Sequence, residues 1–307
     1  MTDIQSTISN IQSQLKSAYQ KDEAKALAWW IVEEETGLSR SQILSGCKIT
    51  KNFAHVQEVI DRLLHFEPIQ YIFGHTEWCG LDLRVTPATL IPRPETAELV
   101  ERINQQSAIS NQQSAIRVLD VGTGSGCIAL ALKKAHPEWQ VTGIDISPEA
   151  IAVARENARR NKVDVNFQVA DIFSDQMTKY LNKWYMVNDQ MVNIVVSNPP
   201  YIRESEKSSM RPNVLDFEPH SALFVPDSDP LRFYRRIAEL LKNHQSSIRR
   251  QQIGRIINHQ SSHLFFEINE AFGEEMRDLL AGLGYTDILI TNDIYGKARI
   301  IEARMVG

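Results

Sequence analysis

The stretch Ile194-Val195-Val196-Ser197-Asn198-Pro199-Pro200-Tyr201 holds the residues of this chain best suited to chemistry. Ile194 to Ser197 reads as a buried strand that runs directly into a rigid, polar turn. Two successive prolines fix φ near about −65° and remove two backbone N–H donors, so the carbonyls around them face the site without competing donors. Pro199 also pushes Asn198 out of the helical region into an extended one. A side-chain amide, a row of carbonyl acceptors and an aromatic face therefore stand together at the carboxyl end of a strand. That set suits a planar NH2 group, from an amide or a nucleobase, which is a poor nucleophile because its lone pair is delocalised. The Asn198 side-chain oxygen and the Pro199 carbonyl can bind its two hydrogens and favour a pyramidal nitrogen. Tyr201 can close over the site and favour a passing positive charge by cation–π attraction. No strong base is required, since the nitrogen loses its proton easily once alkylated. On turn statistics alone a Pro-Pro turn ending a strand explains the same residues, so the rest of the chain decides.

The elements around this stretch alternate strand and helix. Arg117 to Val121 is a buried strand, followed by the loop Gly122-Thr123-Gly124-Ser125-Gly126 and an apolar helix from Cys127 to Lys134. Gln140 to Ile144 is a second strand ending in Asp145, and Ser147-Pro148-Glu149-Ala150 is a strong helix start. Val165–Val169, Ile194–Ser197 and His263–Ile268 are further strands, and Tyr285–Ile290 with Lys297–Ala303 reads as a closing antiparallel hairpin. This alternation implies an α/β fold with a mostly parallel sheet covered on both faces. The glycines let the backbone turn tightly and bring a ligand close to a helix N-terminus. Asp145 stands where a carboxylate can bind two ribose hydroxyls. A dinucleotide site usually carries G-x-G-x-x-G, whereas the glycines here fall at 122, 124 and 126. That spacing resembles the S-adenosylmethionine loop of class I methyltransferases. Asp171, Ile172 and Phe173 end the third strand, where that fold holds the adenine, although Asp171 can also simply cap the next helix.

Length and composition set bounds. The 307 residues suffice for one large domain and a small one, with 43% hydrophobic and 23% charged residues, as in an ordinary soluble protein. A net charge of −5 argues against a general nucleic-acid binder. Cys47, Cys79 and Cys127 are sparse, odd in number and without CxxC spacing, which fits reduced thiols packed in the core of a cytoplasmic protein. The eight histidines form no HxxxH or HExxH pair, so no metal site is expected. The N-terminal residues lack a signal-peptide core, and the apolar run Ala26–Val32 is too short for a membrane span.

Residues 1–75 read as a small helical bundle. Its first stripe is Ile4, Ile8, Ile11 and Leu15, and Ser39 or Ser41 can cap a later helix. Residues 76–90 read as a hairpin linker, with Leu81–Val85 alternating as a strand. The stretch Leu90-Ile91-Pro92-Arg93-Pro94-Glu95-Thr96 precedes a helix, for which Pro94 and Glu95 suit the first turn. Polar repeats near 104–116 and 243–262 read as expanded surface loops inserted in a domain covering 91–307.

Taken together, Glu67-Pro68-Ile69-Gln70-Tyr71, the Pro92–Thr96 stretch, the Asp120–Gly126 loop, Asn198-Pro199-Pro200-Tyr201-Ile202, Phe217-Glu218-Pro219 and Glu267 resemble the peptide chain release factor glutamine methyltransferases, the HemK/PrmC family. The likeness covers nearly the whole chain. It implies a class I S-adenosylmethionine-dependent methyltransferase fold, a seven-stranded mostly parallel sheet, beside an all-helical N-terminal domain that docks the substrate protein. It also implies N5-methylation of the glutamine in the Gly-Gly-Gln loop of class 1 release factors, with S-adenosylhomocysteine as product and neither nucleic acid nor membrane as partner. Asn198 and the Pro199 carbonyl would bind the glutamine NH2, Pro200 and Tyr201 would line its pocket, and Arg93 and Glu95 would contact the substrate loop. Gly122 to Gly126, Asp145, Asp171, Ile172 and Asn198 would hold the cofactor. Ala97 departs from the glutamate of that pattern and Ile172 from a frequent tryptophan. The rival reading is an adenine-N6 methyltransferase of DNA or RNA, which uses the same Asn-Pro-Pro-Tyr chemistry on an exocyclic amine after base flipping.

Overall fold

A computed structural model describes residues 4–46, 55–106, 116–177, 192–251 and 261–305. They fall into two compact units, Met1–His75 with Arg211–Phe217, and Thr76–Met210 with Glu218–Gly307. Cys47, most of the repeat near 104–116 (residues 107–115), and residues 252–260 of the later one lie outside the described residues. No helix among the described residues is long and apolar enough to cross a membrane.

The smaller unit contains α1 (Ile4–Leu15), α2 (Lys21–Thr36), α3 (Arg40–Leu44), α4 (Val56–Leu64) and α5 (Ile69–Phe73). Helical spacing sends Ile8, Ile11 and Leu15 into one core with Ala24, Ala28, Ile31 and Val32 of α2 and Ile60 and Leu63 of α4. Ser39 caps α3 in a reciprocal box: its Oγ accepts from the Gln42 N–H while Gln42 Oε1 accepts from the Ser39 N–H at 2.9 Å. Gly37, at φ +69°, ends α2.

The larger unit starts with the hairpin β1 (His75–Trp78) and β2 (Leu81–Arg84), followed by α6 (Pro94–Asn104). Then come β3 (Arg117–Val121), α7 (Cys127–Ala135), β4 (Gln140–Asp145), α8 (Pro148–Asn161), β5 (Asn166–Val169) and β6 (Ile194–Ser197). Two short strands, β7 (Ile202–Arg203) and β8 (Phe224–Val225), pair in parallel. The chain continues through α9 (Arg232–Gln251), β9 (Ser262–Glu267), α10 (Gly273–Gly282), β10 (Thr286–Asn292) and β11 (Ala298–Met305). The main sheet has the order β10-β11-β9-β6-β3-β4-β5. All its pairings are parallel except those of β11, which is antiparallel to both neighbours.

Strand periodicity separates two apolar layers. Leu119, Val121, Val195, Leu264 and Phe266 join Tyr234, Ile237 and Leu241 of α9 and Met276 and Leu280 of α10. Their neighbours Val118, Ile194, Val196 and Phe265 turn to the opposite face, against Leu99 and Ile103 of α6, Ile128 and Leu132 of α7 and Ile151 of α8. Ile194, Val195 and Val196 are each 2% exposed or less, and burying each such side chain contributes up to about 1.5–3 kcal/mol. The central strand is therefore held from both sides.

Two expectations are corrected. Asn243–Ser247 is not a surface loop but part of α9, with His244 and Gln245 buried. The inward stripe Tyr234, Ile237, Ala238, Leu241 continues at helical spacing to His244 and Gln245, and no glycine or proline interrupts it. Burial lowers the His244 pKa to about 4, so the ring there is neutral. Cys79 is not a core residue: it is exposed at the tip of the β1–β2 hairpin with φ +48°, followed by Gly80 at +68°. Two positive φ values in succession make the tight hairpin turn that matches strand twist, and the turn points Cys79 outward.

The hairpin expected as a linker is built into the larger unit. Asn157 of α8 accepts from the Arg84 N–H at 2.7 Å and donates to the Arg84 carbonyl at 3.0 Å and the Ser125 carbonyl at 2.9 Å. Asn161, one turn on, likewise accepts from and donates to Asp82. The two amides serve β2 as a neighbouring strand would. Asn157→Ala should strand three backbone groups, that of Ser125 buried and those of Arg84 part-buried, and cost about 2–3 kcal/mol, a fall in Tm of roughly 5–10 °C in thermal denaturation.

Candidate active site

Three parallel strands end side by side. Val121 of β3 pairs with Ser197 of β6 and with Ile144 of β4, so Gly122, Asn198 and Asp145 leave the sheet along one edge. Ser197 Oγ donates to the Val121 carbonyl at 2.6 Å and ties β6 to β3 at this point. A cavity of about 530 Å³ opens there, and both the glycine loop and the Asn198 corner line it.

Gly122, Gly124 and Gly126 have φ of +70°, +54° and +83°. A Cβ on Gly122 or Gly124 would meet no protein atom within 4 Å, so these two glycines leave the cavity side of the backbone bare for a ligand. Gly126 differs and does not line the cavity: a Cβ there would stand 2.9 Å from Phe167 Cζ, so this glycine serves packing at the start of α7. Below the loop, Asp120 Oδ2 accepts from the Thr123 hydroxyl at 2.6 Å and the Ala129 N–H at 3.2 Å. Complete burial pushes the Asp120 carboxyl up to about 7 against these two bonds.

Asp145 Oδ2 accepts from the Gly124 N–H and Oδ1 from the Ser147 N–H, each at 2.9 Å. Burial raises its pKa, and those N–H groups and that of Ile146 pull it back. Ile146 beside it is 63% exposed and lines the cavity. Asp171 starts no helix among the described residues; its Oδ1 accepts from the Phe173 N–H at 2.8 Å in a tight turn, and it lines the cavity together with Ile172 and Phe173. The Arg232 guanidinium lies 4.7 Å from the Phe173 ring centre, and the Phe233 ring meets Phe173 edge-on at 5.4 Å. Ile146, Arg232 and Phe233 were not singled out from the sequence. Ile146 had a readable signal, an apolar residue directly after the strand-end aspartate. The α9 pair had none, because only the fold carries the start of that helix to this cavity.

At the corner, Asn198 Nδ2 donates to Thr96 Oγ1 at 3.2 Å, and the Thr96 hydroxyl donates to Glu267 Oε2 at 2.7 Å. Among the described residues no protein donor reaches Asn198 Oδ1 or the Pro199 carbonyl. Asn198, Pro199, Pro200 and Arg93 line the cavity, whereas Tyr201 and Glu95 do not. Tyr201 turns instead into the unit: its hydroxyl donates to Glu267 Oε1 at 3.0 Å and its carbonyl accepts from Asn269 Nδ2 at 3.2 Å. Burial and the Glu267 charge raise its pKa strongly, so it stays a neutral phenol. Arg93 is held by an ion pair with buried Glu218, whose other oxygen accepts from the Ile91 N–H at 3.1 Å. Burial raises the Glu267 carboxyl, while Thr96, Tyr201 and Arg299 oppose that rise.

A family model described as a methyltransferase domain matches residues 112–272, and a PrmC N-terminal domain model matches residues 7–74. A release factor glutamine methyltransferase of Bacteroides thetaiotaomicron is 43% identical over 303 residues, covering 95% of this chain and 97% of that protein. The chain belongs to the release factor glutamine methyltransferases. A second member of the family, from Flavobacterium psychrophilum, is 41% identical over 80% of this chain and 78% of its own length. The hMettl16 catalytic domain, solved in complex with a MAT2A 3'UTR hairpin, superposes with a TM-score of 0.50 at 13% identity, over 75% of this chain and 78% of that one, a likeness of fold.

The residues of this methyltransferase fit S-adenosylmethionine. The bare backbone at Gly122 and Gly124 accommodates close approach, the Asp145 carboxylate at a strand end suits ribose hydroxyls, and Ile146, Ile172 and Phe173 offer apolar surface for a base. Thr123 and Ser125 line the same wall. Ionised, Asp145 accepts on both oxygens and with a full charge, whereas protonation turns one of them into a donor. Affinity for S-adenosylhomocysteine should therefore fall as the pH drops through the raised Asp145 pKa, above the usual aspartate range. Asp145→Asn should bind roughly 10–100-fold more weakly and lose that dependence. Titration calorimetry from about pH 8 to about pH 5 measures both, and an unchanged slope in the variant removes Asp145 as its source.

Proposed function

We propose that this methyltransferase moves the methyl group of S-adenosylmethionine to the side-chain amide nitrogen (N5) of the glutamine in the Gly-Gly-Gln loop of class 1 peptide chain release factors, releasing S-adenosylhomocysteine. One observation carries the reading: the acceptor corner Asn198–Pro200 and the bare glycine loop share a single cavity. When bound, S-adenosylmethionine supplies an electrophilic methyl on a sulfonium. The chain's own residues present and orient the nucleophile. Asn198 Oδ1 and the Pro199 carbonyl accept the two hydrogens of the substrate carboxamide, which draws the nitrogen lone pair out of conjugation. Holding both partners in one cavity supplies most of the acceleration by making the encounter effectively unimolecular. Once alkylated, the nitrogen is acidic and gives a proton to solvent, so no basic side chain is needed. Tyr201 contributes indirectly by bracing the turn.

Arg93, fixed at the cavity wall by Glu218, and Glu95 in the first turn of α6 are assigned to the substrate loop. The helical unit, residues 1–75, is assigned to docking of the release factor; its separate core and its own family match support this. The net charge of −5 supports a protein rather than a nucleic-acid partner, and sparse cysteines support the cytoplasm. Asn198→Ala should lower kcat by at least about 10²-fold, the scale seen when one preorganised polar group is removed, with cofactor affinity nearly unchanged. Mass spectrometry of a release factor after incubation reads the activity and calorimetry the affinity. Equal loss of both would make Asn198 a structural residue.

A further inference from the structure

A carboxamide can be seated in two orientations that exchange its oxygen and its NH2 group, and they are nearly equal in shape. Only one of them presents an acceptor to a substrate amide, so the corner works only if something chooses. The choice is legible in the chain of donors behind it. An ionised carboxylate only accepts hydrogen bonds. Glu267 takes one from Thr96 at 2.7 Å on Oε2 and one from Tyr201 at 3.0 Å on Oε1, so both of its oxygens are engaged and its orientation is set. The Thr96 hydroxyl has a single hydrogen, and Glu267 consumes it. Facing Asn198, Thr96 Oγ1 can therefore only accept, and at 3.2 Å it accepts from Nδ2. The oxygen of Asn198 is left for the cavity.

We propose that Thr96 and Glu267 are positioning residues that fix the direction of the Asn198 carboxamide, so that Oδ1 and not the NH2 group meets the substrate. This rests on the reading of Asn198 as the acceptor of the substrate amide. Glu267 is 2% exposed and does not line the cavity; Thr96 borders it, but its hydroxyl hydrogen is spent inward on Glu267, so it acts on the substrate through Asn198. Burial raises the Glu267 carboxyl, and the Thr96 and Tyr201 hydroxyls together with Arg299 oppose that rise and favour the ionised form that the ordering requires; Arg299 is itself held by Asp293 at 3.1 Å and by the Ile268 carbonyl at 3.3 Å. With Glu267 charged, a Thr96 hydroxyl aimed anywhere else would leave a buried anion short of a donor, which is costly.

Thr96→Val keeps the shape and removes the ordering, whereas Thr96→Ser keeps the hydroxyl. Thr96→Val should lose roughly 10–100-fold in kcat on the release factor, with its KM and the Kd for S-adenosylhomocysteine within about threefold of the parent, and Thr96→Ser should recover most of kcat. A Thr96→Val enzyme with parental kcat, a Thr96→Ser enzyme as poor as Thr96→Val, or a matched loss of S-adenosylhomocysteine binding would overturn the proposal. A second arm needs no substrate. In 15N-asparagine-labelled enzyme, the side-chain NH2 signal of Asn198, assigned by its disappearance in Asn198→Ala, should show protection from solvent exchange that is lost in Thr96→Val and kept in Thr96→Ser. Equal exchange in all three would refute the ordering. Should the parent enzyme fail to methylate a release factor, the function reading fails, while this second arm still decides which way the amide points.

Discussion

The parallel pairing of β3 with β6 is the constraint on which the rest of the site depends. Because Val121 lies opposite Ser197, the last residues of two strands far apart in the chain reach the same edge together. The Ser197 hydroxyl closes that pair by donating to the Val121 carbonyl. Slipping the register by one residue would turn Val195 toward the wrong layer and carry Asn198 away from the glycine loop at the same time. The apolar cost of misregister thus protects the geometry of polar groups that contribute little to stability themselves.

Around that edge the unit uses buried carboxylates as braces. Asp120, Glu218 and Glu267 are 0%, 3% and 2% exposed, and each links two segments that must hold still. Asp120 joins the loop to the start of α7, Glu218 joins Arg93 to the backbone at Ile91, and Glu267 joins Thr96 of α6 to Tyr201 beyond the Pro-Pro turn. Removing a carboxylate from water is expensive, and named donors offset part of that cost while ruling out other arrangements; at Asp120 the offset is incomplete, since burial still pushes its carboxyl up to about 7. These anchors leave the acceptors at the corner unengaged by the protein, as an amide-binding site requires.

The departures from the sequence reading share a cause. Tyr201 follows two prolines and reads as a lid, yet a buried carboxylate contributed by β9 draws its hydroxyl inward. Gly126 reads as a third cofactor glycine, yet Phe167 of β5 occupies the space where its Cβ would stand. Asn243–Ser247 reads as a loop from its polar composition, yet the stripe before it carries helical periodicity straight through. Cys79 reads as a small core residue, yet it sits at positive φ on a hairpin tip. In the first two cases the deciding partner lies far away in the chain, and in the last two local backbone geometry outweighs composition.

Periodicity, glycine and proline act over a few neighbouring residues, so the alternation of strands and helices, the strand-end positions of Gly122, Asp145 and Asn198, and the chemistry open to a proline-stiffened turn were all legible in the order of residues. Tertiary structure alone decided the company those residues keep. That Thr96 and Glu267, 171 positions apart, stand behind Asn198, that Arg232 and Phe233 close one wall, and that Gly126 faces Phe167 all follow from strand order and register. Such contacts arise from long-range packing, and no local spacing encodes them.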